Sequence, residues 1–161
     1  MGNDMLTQTF FNDSNNVQIQ NTYKKLRTIS YVFLVIGIPV FILIAYVGTL
    51  RMPNLFLPLA AFELLFMLWA FNYTFFKRLK LYKKDIAEQT KLVGHLQVSS
   101  KSEKDKQFLV GFDSSDLNKQ ALSKTVFDKI EIGDNIEVEF SKYAQFIFKL
   151  SKGDEMLINN S

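Results

Sequence analysis

The chain has 161 residues, a formal net charge of +3, a hydrophobic fraction of 48%, no cysteine and one histidine. Disulfides, thiol catalysis and thiolate metal centres are thereby excluded, and His95 alone supplies too few ligands for a protein-only zinc site. Nine of the 19 Lys+Arg and five of the 16 Asp+Glu precede residue 90, which leaves +4 there and −1 over residues 90–161, so the C-terminal part lacks the basic footprint of a nucleic-acid binder.

Residues 1–28 open with a polar stretch rich in Asn, Gln and Thr, from Thr7 to Asn16. Such a composition buries too little apolar surface to order itself, so a partly disordered tail is expected. Val17 to Thr28 reads as a helical lead-in, and Phe10 and Phe11 are available to dock on a membrane or a partner. Gly2 would suit myristoylation, but Leu6 stands where that motif needs Ser or Thr.

Residues 29–76 predict two transmembrane helices, about 30–50 and 55–76. Ser30 to Leu50 holds no charge and Leu55 to Phe76 holds one, Glu63. Roughly 20 apolar residues in a helix span roughly 30 Å of hydrocarbon. Only helices or closed barrels cross lipid, and these runs lack the two-residue alternation of strands. Pro39 removes a hydrogen bond inside the first span and predicts a kink. Arg51, Met52, Pro53 and Asn54 connect the spans. No A-x-A cleavage site follows the first, which favours an anchor over a removed signal. Lys24, Lys25 and Arg27 precede the pair, five basic residues follow it, and only Arg51 lies between. That bias places both termini on the cytoplasmic side and the short loop outside. Tyr31, Tyr46, Trp69 and Tyr73 lie toward the span ends as interfacial aromatics.

Glu63 sits about 12 Å into its span. An ionisable group at that depth suggests an ion relay or a pore-lining carboxylate. Alternatively it is a protonated side chain bonding a neighbouring helix. Ala60, Glu63, Met67, Ala70 and Thr74 share one face, and Ser30, Leu34, Gly37, Phe41, Ile44 and Gly48 form a comparable stripe on the first span. Small residues with a polar group are what a helix seam in lipid uses, so packing or oligomerisation is the expectation.

Residues 77–89 continue as a basic juxtamembrane helix, with Lys77, Arg78, Lys80, Lys83 and Lys84 meeting lipid headgroups. From Thr90 the period becomes two. Leu92, Gly94, Leu96 and Val98 alternate inward, Ser99 to Lys106 is a polar turn, and Phe108, Val110 and Phe112 return as a hairpin. Leu117 to Ile130 reads either as a helical face or as a strand ending in a helical turn at Phe127 to Ile130. Ile132 to Asn135 turns, Ile136, Val138 and Phe140 point inward, Phe146, Phe148 and Leu150 alternate, and Met156 to Ile158 makes a last short strand. Five or six strands in about 70 residues predict a small closed or nearly closed barrel over 90–161. The fold class expected is thus a transmembrane α-helical hairpin followed by a small all-β (OB/SH3-like) barrel.

No phosphate-binding glycine loop, nucleophile elbow or paired histidines occur in the sequence. His95 lies beside Gln97 on the outward face of the first strand. Glu137 and Glu139 share an outward strand face and read as a solvated edge rather than an acid–base pair. Asp113, Asp116 and Asp134 fall in turns. The expectation is a protein that is not an enzyme and takes no cofactor and no metal.

Tyr82-Lys-Lys-Asp-Ile86 leading to Gly94, then Val126 to Asp134 and Ile136 to Ser141, resembles small two-span bacterial membrane proteins in which a barrel follows the second helix. The layout is similar to NfeD-type proteins, whose cytosolic OB-fold is linked to protein assembly. The resemblance implies a non-enzymatic membrane-anchored module and carries over no functional residue. The sequence therefore suggests a protein-interaction, assembly or accessory-subunit module whose partners are membrane lipids and either another protein or further copies of itself. The alternative is a ligand-responsive oligomeric membrane effector or channel with the barrel as sensor.

Overall fold

The computed structural model describes residues 6–50 and 53–160; Gly2, and Arg51 and Met52 of the connecting segment, lie outside them. The chain forms two compact units, Gln20–Lys83 and Met1–Ile19 with Lys84–Ser161.

The first unit is helical. Helix α1 (Asp13–Gly48) contains Pro39 in its interior. A 3-10 turn (Pro53–Leu55) leads into α2 (Phe56–Phe71). A π-helical turn (Asn72–Phe76) joins α2 to α3 (Lys77–Glu88), so that Phe56–Glu88 is one helical run. Both runs are long and apolar enough to cross a membrane, and only 11% and 6% of their most apolar windows are buried. Val35, Leu57, Phe62 and Leu65 stand outward and exposed. A core helix of a water-soluble fold would hide such residues; these helices hide only a narrow seam.

The second unit is an antiparallel sheet, with β1 (Thr7–Phe10), β2 (Thr90–Lys104), β3 (Gln107–Phe112), β4 (Gln120–Leu122), β5 (Asn135–Ser141), β6 (Ile147–Lys152) and β7 (Glu155–Asn159). The order is β4-β3-β2-β5-β6-β7, with β1 alongside β2. Strand β2 is the spine. Its first half lies between β1 and β5, and after a register shift between Val98 and Ser100 its second half pairs with β3. The sheet curls around Leu96, Val98, Val110, Ile130, Ile136, Val138, Phe140 and Leu150, all essentially shut from solvent.

Where the strand count predicts a closed or nearly closed barrel, the sheet curls into a half-barrel. Among the described residues β4 pairs only with β3 and β7 only with β6. The segment Leu117–Ile130, left open between helix and strand, explains why. It forms the three-residue β4 and then helix α4 (Lys124–Lys129), whose first turn is capped by the Ser123 hydroxyl accepting from the Val126 N–H. Val126, Phe127 and Ile130 cover the core where further strand would be needed to close the barrel.

Two other expectations change. From Thr7 onward the N-terminal segment is no loose tail: β1 pairs with β2 from Thr7↔Val93 to Phe10↔Thr90. Asn12 and Asn15 then cap α1 reciprocally, the shorter bond being Asn15 N–H to Asn12 Oδ1 at 2.7 Å. A polar strand needs little apolar burial when β2 supplies its backbone partners. Phe11 packs edge-on against Phe148 at 5.2 Å, while Phe10 stays 79% exposed. The predicted turn from Ser99 to Lys106 shrinks to Asp105 and Lys106, both with positive φ, and the strand runs on to Lys104.

Candidate functional site

Within the helical unit, α1 and α2 meet along an antiparallel seam. Phe33 lies against Phe75 with ring centroids 5.5 Å apart, and Tyr46 lies edge-on to Phe56 at 6.3 Å. Between them Met67 is 1% exposed. A Cβ added to Gly37 would sit 3.4 Å from Met67 Sδ, and one on Gly48 would sit 3.8 Å from Leu59. Ala60, Glu63 and Ala70 are half-buried on this face, whereas Thr74 is exposed. The π turn accounts for Thr74: its wider winding carries residues 72–76 off the α-helical register, and Phe75 takes the inward place. Glu63 Oε2 is closed off from solvent and accepts no hydrogen bond among the described residues. The seam thus contains small residues, a methionine and one carboxyl oxygen whose bonding capacity is unused.

At the basic end of the unit the two helices leave a groove of about 680 Å³. Lys80 and Lys83 line it together with Arg27 of α1, and Phe71, Phe76 and Leu79 supply apolar walls. Arg78 instead borders a separate groove of about 180 Å³ with Lys25 and Tyr82. Lys77 stands over the Tyr73 ring at 5.5 Å.

No family model matches this chain, and no curated protein or solved structure is similar to it.

In the sheet unit, Glu137 and Glu139 are paired rather than freely solvated. Glu139 receives the Lys91 ammonium at 2.6 Å, and Lys91 also donates to Asn15 Oδ1. Glu137 accepts from Lys149 and from the Ser151 hydroxyl, each at 2.8 Å, and these bonds hold its carboxyl below the usual carboxylate range. His95 faces Glu137 across the ladder and is exposed. Asp134 accepts from Lys152 at 2.6 Å and from the Glu131 N–H, and is likewise held low, chiefly by Lys152. Asp113 and Asp116 are exposed turn residues. These contacts tie strands together and give no proton acceptor an oriented substrate site.

The residue that sequence reasoning overlooked is Asp85. It is fully buried in the last turn of α3. Its two carboxylate oxygens accept from the Tyr143 N–H at 2.9 Å and the Ala144 N–H at 2.7 Å, clasping the β5–β6 turn. Burial raises its pKa, and the two backbone bonds oppose that rise. Around it, Lys84 stacks over the Tyr143 ring at 3.8 Å, and the Tyr143 hydroxyl donates to Glu88 at 2.5 Å. One signal was available: a carboxylate near a helix C-terminus opposes the helix dipole, so it needs another partner. Lys84, read as a headgroup contact, is engaged here.

Proposed function

We propose that the chain is a two-pass protein of a bacterial inner membrane, with both termini cytoplasmic. Its half-barrel, a small OB/SH3-like module, would act as a protein-interaction or accessory-subunit part without chemistry of its own. Two outward-facing apolar helices with basic flanks support the membrane placement. The β1–β2 ladder supports an even number of crossings, because it keeps the chain before α1 and the chain after α3 on one side.

The observation that carries the functional reading is a filled interior beside open edges. The core side chains occupy the sheet's concave face, while β7 ends the sheet with Met156 about half exposed. An open edge offers backbone hydrogen bonds to an added strand of another protein. The test places a photo-crosslinking residue at Met156 and another at exposed Lys104 in the full-length protein, followed by mild-detergent purification and native mass measurement. A stoichiometric heteromer crosslinked through Met156 alone supports the reading, and equal crosslinking at both positions overturns it. A second reading, the ligand-responsive oligomeric effector, draws on the unused oxygen of Glu63. It predicts a homo-oligomer without a second protein, and a Glu63→Gln variant that loses ion-dependent activity while still assembling.

A further inference from the structure

We propose that the groove at the basic end of the helical unit is a site for one anionic phospholipid; the inference rests on the membrane placement above. The groove brings together what such a lipid needs, on two helices far apart in sequence. Arg27 of α1 and Lys80 and Lys83 of α3 contribute three positive charges, and none of the lining residues is acidic. Leu79, Lys80 and Lys83 lie within one turn of α3, so one face of that helix presents both lysines and Leu79, and Phe76 at the end of the π turn adjoins them in the groove. The phosphate is placed among the cations and an acyl chain along Phe71, Phe76 and Leu79.

Arg27 is pre-positioned. Its guanidinium donates to the Tyr31 hydroxyl at 3.4 Å and lies 5.5 Å from that ring, which leaves its remaining donors for a phosphate fork. The other basic residues of the flank do not share this arrangement. Lys77 sits over Tyr73, Lys84 over Tyr143, and the groove beside Arg78 is about 180 Å³, below the several hundred Å³ that a bound small molecule occupies. A generic stop-transfer flank would use its charges interchangeably. Here two of the five converge with a third from the opposite helix.

The test is native mass spectrometry of the full chain released from zwitterionic micelles titrated with phosphatidylglycerol or phosphatidylcholine. One phosphatidylglycerol per chain is expected, with phosphatidylcholine not retained. The double variant R27A/K80A should weaken binding about thirtyfold, and the charge-matched K77A/R78A should stay within about threefold. The single variant K83A, on an exposed position, checks that the loss follows the groove and not a damaged fold. Equal weakening in both double variants, or no preference between the two lipids, overturns the site. Displacement by excess inorganic phosphate overturns the lipid as its ligand in favour of a free anion. Carbonate washing of membranes separates the premise: protein that washes off overturns the membrane reading itself, whereas retained protein without a lipid preference overturns only this site.

Discussion

At the scale of single residues, two carboxyl groups behave in opposite ways. Glu63 was legible from the sequence because a lone charge in an apolar run stands out locally. Asp85 was not, because its partners lie 58 and 59 residues further along the chain and no local pattern announces them. Replacing Asp85 by Asn presents an amide NH₂ to one of two backbone donors, leaving it unpaired at a cost of about 1–3 kcal/mol. Hydrogen exchange over residues 141–146 should accelerate in Asp85→Asn, and unchanged protection there would count against the clasp. Ionisation has a sign as well. Asp85 titrates higher when folded, so its contribution to stability declines as pH rises through and above the usual carboxylate range. Glu137 is the reverse: its carboxyl is held low by Lys149 and Ser151, so the stability it contributes is full above the usual range and is lost as pH falls through the folded value. Glu137→Gln should therefore lower stability near neutrality, change little well below the folded value, and so flatten the acid limb of a pH–stability curve for the full chain.

Among elements, the alternating strands and the apolar helices were readable because each carries its period in its own residues. The departures arise where an element answers to something remote. Strand β1 owes its existence to the backbone of β2, and α4 exists where the sheet stops short of closure. The π turn is invisible to a uniform 3.6-residue count, which is why Thr74 was placed on the Glu63 face and stands outside it. The hairpin at Asp105 and Lys106 adopts φ values of +51° and +63°, a geometry that favours Asn-Gly over the residues present. The double change D105N/K106G should raise stability by about 1 kcal/mol, read as an upward shift in the thermal midpoint of the sheet signal. A fall would mean that the lysine side chain contributes something beyond its backbone.

For the whole molecule, the sequence draws the border between apolar hairpin and β domain by composition, whereas the compact helical unit Gln20–Lys83 extends beyond the apolar runs into both flanks. Composition tracks the solvent a segment prefers, and compactness tracks which backbones bond. The proposed topology predicts that protease added outside intact spheroplasts leaves residues 90–161 uncut and that opened cells expose them. Cleavage in intact spheroplasts would reverse the orientation.

The ladder between Thr7–Phe10 and Thr90–Val93 also imposes an order on biosynthesis. The first strand leaves the ribosome about 80 residues before its template does, a wait of about 4–16 s at ordinary elongation rates. During that interval both apolar helices emerge, and the early strand has no complement. The sheet therefore assembles late, after the hairpin has been made, and its completion stitches the beginning of the chain to a segment made after the hairpin.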